Sequence, residues 1–295
     1  MKHSFQEWVV ATRPWSFPAS VMPVAVAAVW VAVTGQSVNW WLAVAAMVNI
    51  VLVHAAGNVW SDYYDFKCGV DRDGAYCVST LTSGKFSLRE VWALSVGLQT
   101  VAVVMGCTIV ALTGLPLLWI GLAGVGLSLL YPPLKYHALG DVVIGFCYAV
   151  LPMLGTTFIV SGEVMPEVLW LALPVGAITV GILHANNTRD IDMDAAAGIK
   201  TFSILTGRRT AVWLYVVEVL LPYVWLAAIC VLGIVDWCAL LAFLSLPLAL
   251  RNVRVMTSDR EEDRDAFLRL DEATAQLQLA FSMSLIVGLL LSLFL

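Results

Sequence analysis

The sequence predicts an all-α polytopic membrane protein of nine transmembrane helices around a central cavity, with its N-terminus inside and its C-terminus outside. Three observations predict it. Of 295 residues only 13% are charged while 60% are hydrophobic, and mean hydropathy is +0.87; a soluble domain carries roughly 25% charged residues. Apolar runs long enough to cross a bilayer as helices recur from end to end. The sixteen Lys and Arg residues then divide completely to one side of those runs.

In order, the runs lie near residues 16–34, 39–60, 90–112, 115–131, 141–161, 167–186, 210–233, 236–250 and 273–294, the eighth being the shortest. Alternate connections are short and carry no basic residue: "TGQSVNW", "LTGLP", "VSGEVMPE" and "LGIVDW". The opposite side holds Lys2 and Arg13 before helix 1, and Lys67, Arg72, Lys85 and Arg89 after helix 2. It also holds Lys135 after helix 4, Arg189, Lys200, Arg208 and Arg209 after helix 6, and five Arg after helix 8. The positive-inside rule places that side in the cytoplasm. The chain reads as a single domain over 1–295 in a cytoplasmic (inner) membrane.

The remaining composition excludes more than it assigns. A net charge of -5 gives no sign of nucleic-acid binding. The six Cys show no CxxC spacing, and Cys68 and Cys77 lie on the reducing side, where incidental thiols are the simplest reading. The mixed-charge stretch "DREEDRDAFLRLDE" reads as solvated surface. No cleavable signal pattern opens the chain.

Two acidic stretches break the apolar pattern, "NVWSDYYDFKCGVDRD" (58–73) and "NNTRDIDMDAAAGIKT" (186–201). Asn58, Asp62 and Asp65 are spaced i, i+4, i+7, and Asn186, Asp190 and Asp194 are spaced i, i+4, i+8. Each set occupies one helix face, and Asp192 points elsewhere. The motif loops, about 58–89 and 186–209, share the cytoplasmic face and suggest a duplicated unit with its acidic ends opposed across a cavity. Clustered carboxylates at membrane helix ends repel one another and require cations. Oxygen-only ligands favour Mg²⁺ or Ca²⁺ over zinc, and Mg²⁺ is typically shared between carboxylates and substrate phosphates. A diphosphate at the mouth of an apolar bundle implies a lipid tail between the helices. Ionisation of an allylic C–O bond would then call for an aromatic lining, for which Tyr63, Tyr64, Phe66, Tyr131, Tyr148 and Phe158 are candidates.

These residues resemble the UbiA superfamily of intramembrane prenyltransferases. "NNTRDIDMDAAAGIKT" is similar to the family's second motif, with Asp190 and Asp194 as its DxxxD, and "YPPLKYHALGD" to its YxxxK element, with Tyr131 and Lys135. "TRPWSFPASVMPV" and "YYDFKCGVD" resemble the branch that prenylates 1,4-dihydroxy-2-naphthoate for menaquinone. In the first motif Ser61 stands where many members have Asn. Two registers follow, Asn58 with Asp62, or Ser61 with Asp65 and Asp71. "STLTSGKFS" lacks the Arg-Pro often found there.

The resemblance implies Mg²⁺ held by Asp62, Asp65, Asp71, Asp190 and Asp194. Asn58, Ser61, Lys67, Arg72, Lys135, Asn187, Arg189 and Lys200 would bind the polyprenyl diphosphate, and Asp65, Asp190, Lys135 and Tyr131 would carry catalysis. Arg13 either anchors the chain at the membrane surface or reaches the substrates; His54 and His184 read as packed, hydrogen-bonded residues. The expected reaction joins the prenyl chain to an aromatic acceptor, naphthoate with decarboxylation to demethylmenaquinone. Alternatives are 4-hydroxybenzoate, a glycerol-phosphate lipid or a porphyrin or chlorin as acceptor. A cation-coupled transporter would place its acids near the bilayer midplane and not at one face. A CDP-alcohol phosphotransferase would carry DGxxAR, which is missing.

Overall fold

The computed structural model describes residues 3–70, 80–258 and 260–294. Among them nine helices are long and apolar enough to span a membrane, as the hydropathy predicts. They are α1 (Pro14–Val33), α2 (Trp40–Lys67), α3 (Leu88–Thr113), α4 (Pro116–Lys135), α5 (Gly140–Ser161), α6 (Pro166–Arg189), α7 (Arg208–Val231), α8 (Trp237–Thr257) and α9 (Leu270–Leu291). Helices α1 and α6 are the most enclosed, and α1 packs against α2, α5 and α9 while α6 packs against α5, α7 and α9. Helices α3 and α4 lie at the periphery and expose Val101, Val104, Leu112, Trp119 and Leu122, apolar surface suited to lipid.

The differences from the expected spans have local causes. Helix α2 runs to Lys67, past the expected end near 60. "WSDYYDFK" contains no Gly or Pro to stop it, so Asp62 and Asp65 sit on continuous helix. Gly69 stops it, at φ 70°, in a Schellman motif where Val70 N–H bonds Asp65 C=O at 2.8 Å and Gly69 N–H bonds Phe66 C=O at 3.1 Å.

Helix α4 passes through Pro132 and Pro133 to Lys135, beyond the expected end at 131. Pro133 has no N–H to offer the carbonyl four residues back. The Trp60 indole N–H from α2 donates to that carbonyl, Leu129 C=O, at 3.2 Å.

Helix α5 contains a π-turn over Phe146–Val150. Gly176 of α6 faces it, where a Cβ would stand 2.6 Å from the Ala149 Cβ. Helix α8 begins with nine residues of 3-10 helix, Trp237–Ser245, capped by Asp236, whose carboxylate accepts from Cys238 N–H at 2.8 Å. The larger rise of a 3-10 helix, about 2 Å per residue, lengthens this short apolar run. A short helix that the hydropathy does not signal, Phe5–Ala11, precedes α1, with Ser4 and Glu7 forming a capping box.

Candidate active site

A cavity of about 360 Å³ opens among α1, α2, α4, α5, α6 and α9, and both acidic motifs reach it. From α2 come His54, Asn58, Ser61 and Asp65; from the end of α6 come Asn186, Asn187, Arg189 and Asp190, with Asp194 one turn further on. Lys135 and Tyr131 enter from α4 and Tyr148 from the π-turn of α5. A second cavity, of about 290 Å³ and almost wholly apolar, extends between α2, α3, α4 and α5. Tyr131, Ile144 and Tyr148 line both. A polar chamber thus adjoins a greasy one across two tyrosines.

Asp65, Asp62 and Asp190 each meet a cation. Asp65 is buried and accepts from Lys135 Nζ at 3.1 Å, Ser61 Oγ at 3.2 Å and Tyr136 OH at 2.6 Å. Burial and the adjacent Asp65 carboxylate push the Tyr136 phenol well above its ordinary pKa, so the hydroxyl stays a donor. Asp62, one turn before Asp65 on α2, is buried and pairs with Arg13. Arg13, whose own guanidinium lines the cavity, adopts φ 55°, an uncommon left-handed conformation for a side-chain-bearing residue. Its role is therefore an ion pair inside the protein and not only a surface anchor.

Asp190 receives Arg189 Nε and Nη2, both at 2.8 Å. The same guanidinium contacts the Asn186 side chain, and its Nη1 donates to Leu268 C=O at 3.0 Å and lies 3.3 Å from Asp271 Oδ1. Asn187 Nδ2 donates to Asp141 Oδ1 at 3.5 Å, and Asp192 turns outward to Arg208 at 3.1 Å.

Other candidates lie apart from the cavity. Lys67 is exposed with its ammonium 5.6 Å above the Tyr63 ring, because Asp65 and not Lys67 is on the inward face of α2. Lys200 is exposed, and its backbone N–H bonds Tyr136 C=O at 3.1 Å. Tyr63 and Tyr64 cluster with Trp60, Phe66 packs with the Val59–Phe86 cluster, and Phe158 is core. Asp71, Arg72 and Cys77 fall outside the described residues.

The histidines are engaged as packed residues. His54 lies between Ser16 Oγ at 3.3 Å and Ser20 Oγ at 3.0 Å, and His184 lies 3.0 Å from Glu218 Oε1. Asn58 Nδ2 ties α2 to Thr12 C=O at 2.9 Å and Ser16 Oγ at 3.2 Å.

Three contributors carried no recognised signal. Tyr136 directly follows Lys135, so one turn of chain delivers both to Asp65. Asp271 and Glu272 belong to the stretch read as solvated surface, but as the first turn of α9 they line the cavity.

Among the described residues no three of His, Cys, Asp or Glu are grouped closely enough to hold one metal by themselves. The donor set at the cavity is nevertheless all oxygen: Asp65, Asp190 and Asp194, with the side-chain carbonyls of Asn186 and Asn187. Such a set fits a hard cation completed by ligand oxygens and water.

This is a polytopic membrane enzyme with a charged cavity opening onto an apolar one. Residues 20–292 match the model of the UbiA prenyltransferase family, and the chain belongs to it; it is a prenyltransferase. UbiA prenyltransferase domain-containing protein 1 of Homo sapiens is 32% identical over 97% of this chain and 83% of that protein. The 1,4-dihydroxy-2-naphthoate octaprenyltransferase of Bacillus subtilis (strain 168) is 27% identical over 96% of this chain and 92% of that one. A UbiA homolog from Archaeoglobus fulgidus, solved with GPP and Mg²⁺, shares the fold at TM-score 0.65 and 14% identity, covering 95% of this chain and 99% of its own. The apo UbiA homolog from Aeropyrum pernix K1 superposes at TM-score 0.64 with 19% identity, over 92% and 97% of the two chains.

Proposed function

We propose that the polar chamber binds a polyprenyl diphosphate with Mg²⁺ and transfers its chain to 1,4-dihydroxy-2-naphthoate. The observation that carries this reading is the junction of the two cavities. Asp65–Lys135 and Asp190–Arg189 face a common chamber, and Tyr131 and Tyr148 separate that chamber from apolar space. A diphosphate with a hydrocarbon tail has the same division. The ligands of the Archaeoglobus fulgidus homolog support the donor class, and the name of the Bacillus subtilis relative supports the acceptor.

Asp65, Asp190 and Asp194 would hold Mg²⁺, which when bound supplies positive charge to the departing diphosphate. Lys135 and Arg189 bring side-chain cations to the same oxygens. The allylic C–O bond breaks with its electron pair leaving on the diphosphate. Tyr131 and Tyr148, which line both cavities, would offer electron-rich rings to the resulting cation, and the apolar chamber would keep water from capturing it. The carboxylate-bearing ring carbon of the acceptor attacks C1 of the chain, and loss of CO₂ returns the electron pair to the ring. The distribution of Lys and Arg among the loops supports a cytoplasmic position for this chamber.

Purified protein given Mg²⁺, a labelled polyprenyl diphosphate and the naphthoate should release CO₂ and form prenylated naphthol. EDTA or Asp190→Ala should abolish both. Transfer to 4-hydroxybenzoate instead would retain the chemistry and overturn the acceptor.

A further inference from the structure

The last membrane helix takes part in the second acidic motif. Arg189 side-chain atoms are largely buried, 8% exposed, and their partners come from two elements. Nε and Nη2 hold both oxygens of Asp190 on the α6 side, while Nη1 reaches Leu268 C=O and Asp271 Oδ1 at the start of α9. Asp271 itself lines the chamber. Both Asp190 oxygens accept from Arg189, so a cation taken up by this carboxylate competes with the guanidinium for it. A guanidinium held by Asp190 and Asn186 alone would then be fixed only from α6. One also held from α9 keeps its place and its plane.

We infer that Asp271 is a positioning residue for prenyl diphosphate binding, acting through Arg189. It anchors the guanidinium to α9 while Asp190 turns to the incoming ligand, so that Arg189 meets the diphosphate oxygens pre-oriented. This inference rests on the diphosphate reading of the chamber. Arginine suits the task because its planar fork serves two carboxylates at once, which a lysine ammonium cannot do in fixed geometry. Residues that orient a ligand-binding group typically change affinity roughly 10–100-fold when altered.

The test is a cycle of Asp271→Asn, Arg189→Ala and the double variant in the full-length protein. Steady-state kinetics would be run against polyprenyl diphosphate and against the aromatic acceptor, with the melting temperature of each variant recorded. Asp271→Asn should raise KM for the diphosphate about 10-fold, with KM for the acceptor and the melting temperature little changed. Asp271→Glu should recover most of the loss. In the Arg189→Ala background, Asp271→Asn should add nothing. Additive losses in the double variant would overturn the inference, as would a fall in melting temperature with an unchanged diphosphate KM. A wild-type protein that turns over, with Asp271→Asn indistinguishable from it, would defeat the inference alone. Absence of Mg²⁺-dependent diphosphate binding in the wild type would overturn the functional reading and the inference with it.

Discussion

Tyr136 donates its phenolic hydrogen to Asp65 at 2.6 Å, on a different oxygen from the one Lys135 holds at 3.1 Å. The carboxylate is thereby oriented from two sides by neighbouring residues at the end of α4. Tyr136→Phe removes one of these contacts without changing ring volume. A hydrogen bond to a charged group contributes about 1.5–3 kcal/mol. Lowering of kcat/KM by at least about tenfold, with the fold intact by circular dichroism, is the expected result. The phenol's pKa is raised, by burial first and then by Asp65. Its contribution to stability is therefore complete below its unfolded value of about 10 and disappears only as pH rises through the higher folded value. An alkaline stability profile of wild type and Tyr136→Phe should show their difference constant below pH of about 10 and narrowing above it.

The Lys135–Asp65 pair is buried on both sides, with side chains 11% and 8% exposed. Removing one partner strands the other charge, at a cost of about 3–5 kcal/mol. Lys135→Ala should therefore lower the melting temperature in detergent more than Lys135→Ala combined with Asp65→Asn. Equal melting temperatures would show that the two charges do not depend on each other.

The two registers of the first motif make different demands. Asp65 lines the chamber, whereas Asp62 is buried against Arg13. Asp65→Asn should reduce transfer to background. Asp62→Asn should leave measurable transfer, lowered roughly 10–100-fold as for a residue that orients its neighbour. Comparison of kcat/KM for the two variants decides the register.

Two glycines sit where helices touch. A Cβ on Gly288 of α9 would lie 2.2 Å from Cys238 C=O, and one on Gly176 would meet Ala149 at the π-turn. Overpacking of this kind costs about 1–3 kcal/mol. Gly288→Ala should lower the melting temperature with little effect on KM. Gly176→Ala should disturb transfer as well, because the shifted turn carries Tyr148. Thermal unfolding measured beside turnover separates the two effects.

The architecture was legible because hydropathy and the distribution of Lys and Arg act on whole segments. Legibility ended where single side chains decide. The end of α2 depended on Gly69, and the extension of α4 on a Trp60 indole from another helix, which has no signature in the YPPLK stretch itself. In the site, Asn186, Asp190 and Asp194 reach one chamber as their spacing predicts, because i to i+4 hydrogen bonds carry the turn across the break at Asp190. Lys67 and Lys200 are implied by the resemblance through their positions in the motifs, and position along the chain does not state which way a side chain faces. Asp271 was hidden for the opposite reason. It stands near the end of a run of charged residues, and packing of α9 on α1 and α6 turns it inward.

The pairing of carboxylate with cation at Asp65–Lys135 and Asp190–Arg189 makes occupation of the chamber a trade of partners. A lone divalent ion would displace the protein's own cations and leave them stranded in low dielectric; a lone diphosphate would do the same to the carboxylates. Only a complex bringing both signs of charge returns every group to a neutral pairing. On the reading proposed above, such pairs favour substrate and ion arriving as one electrically matched unit over either one alone.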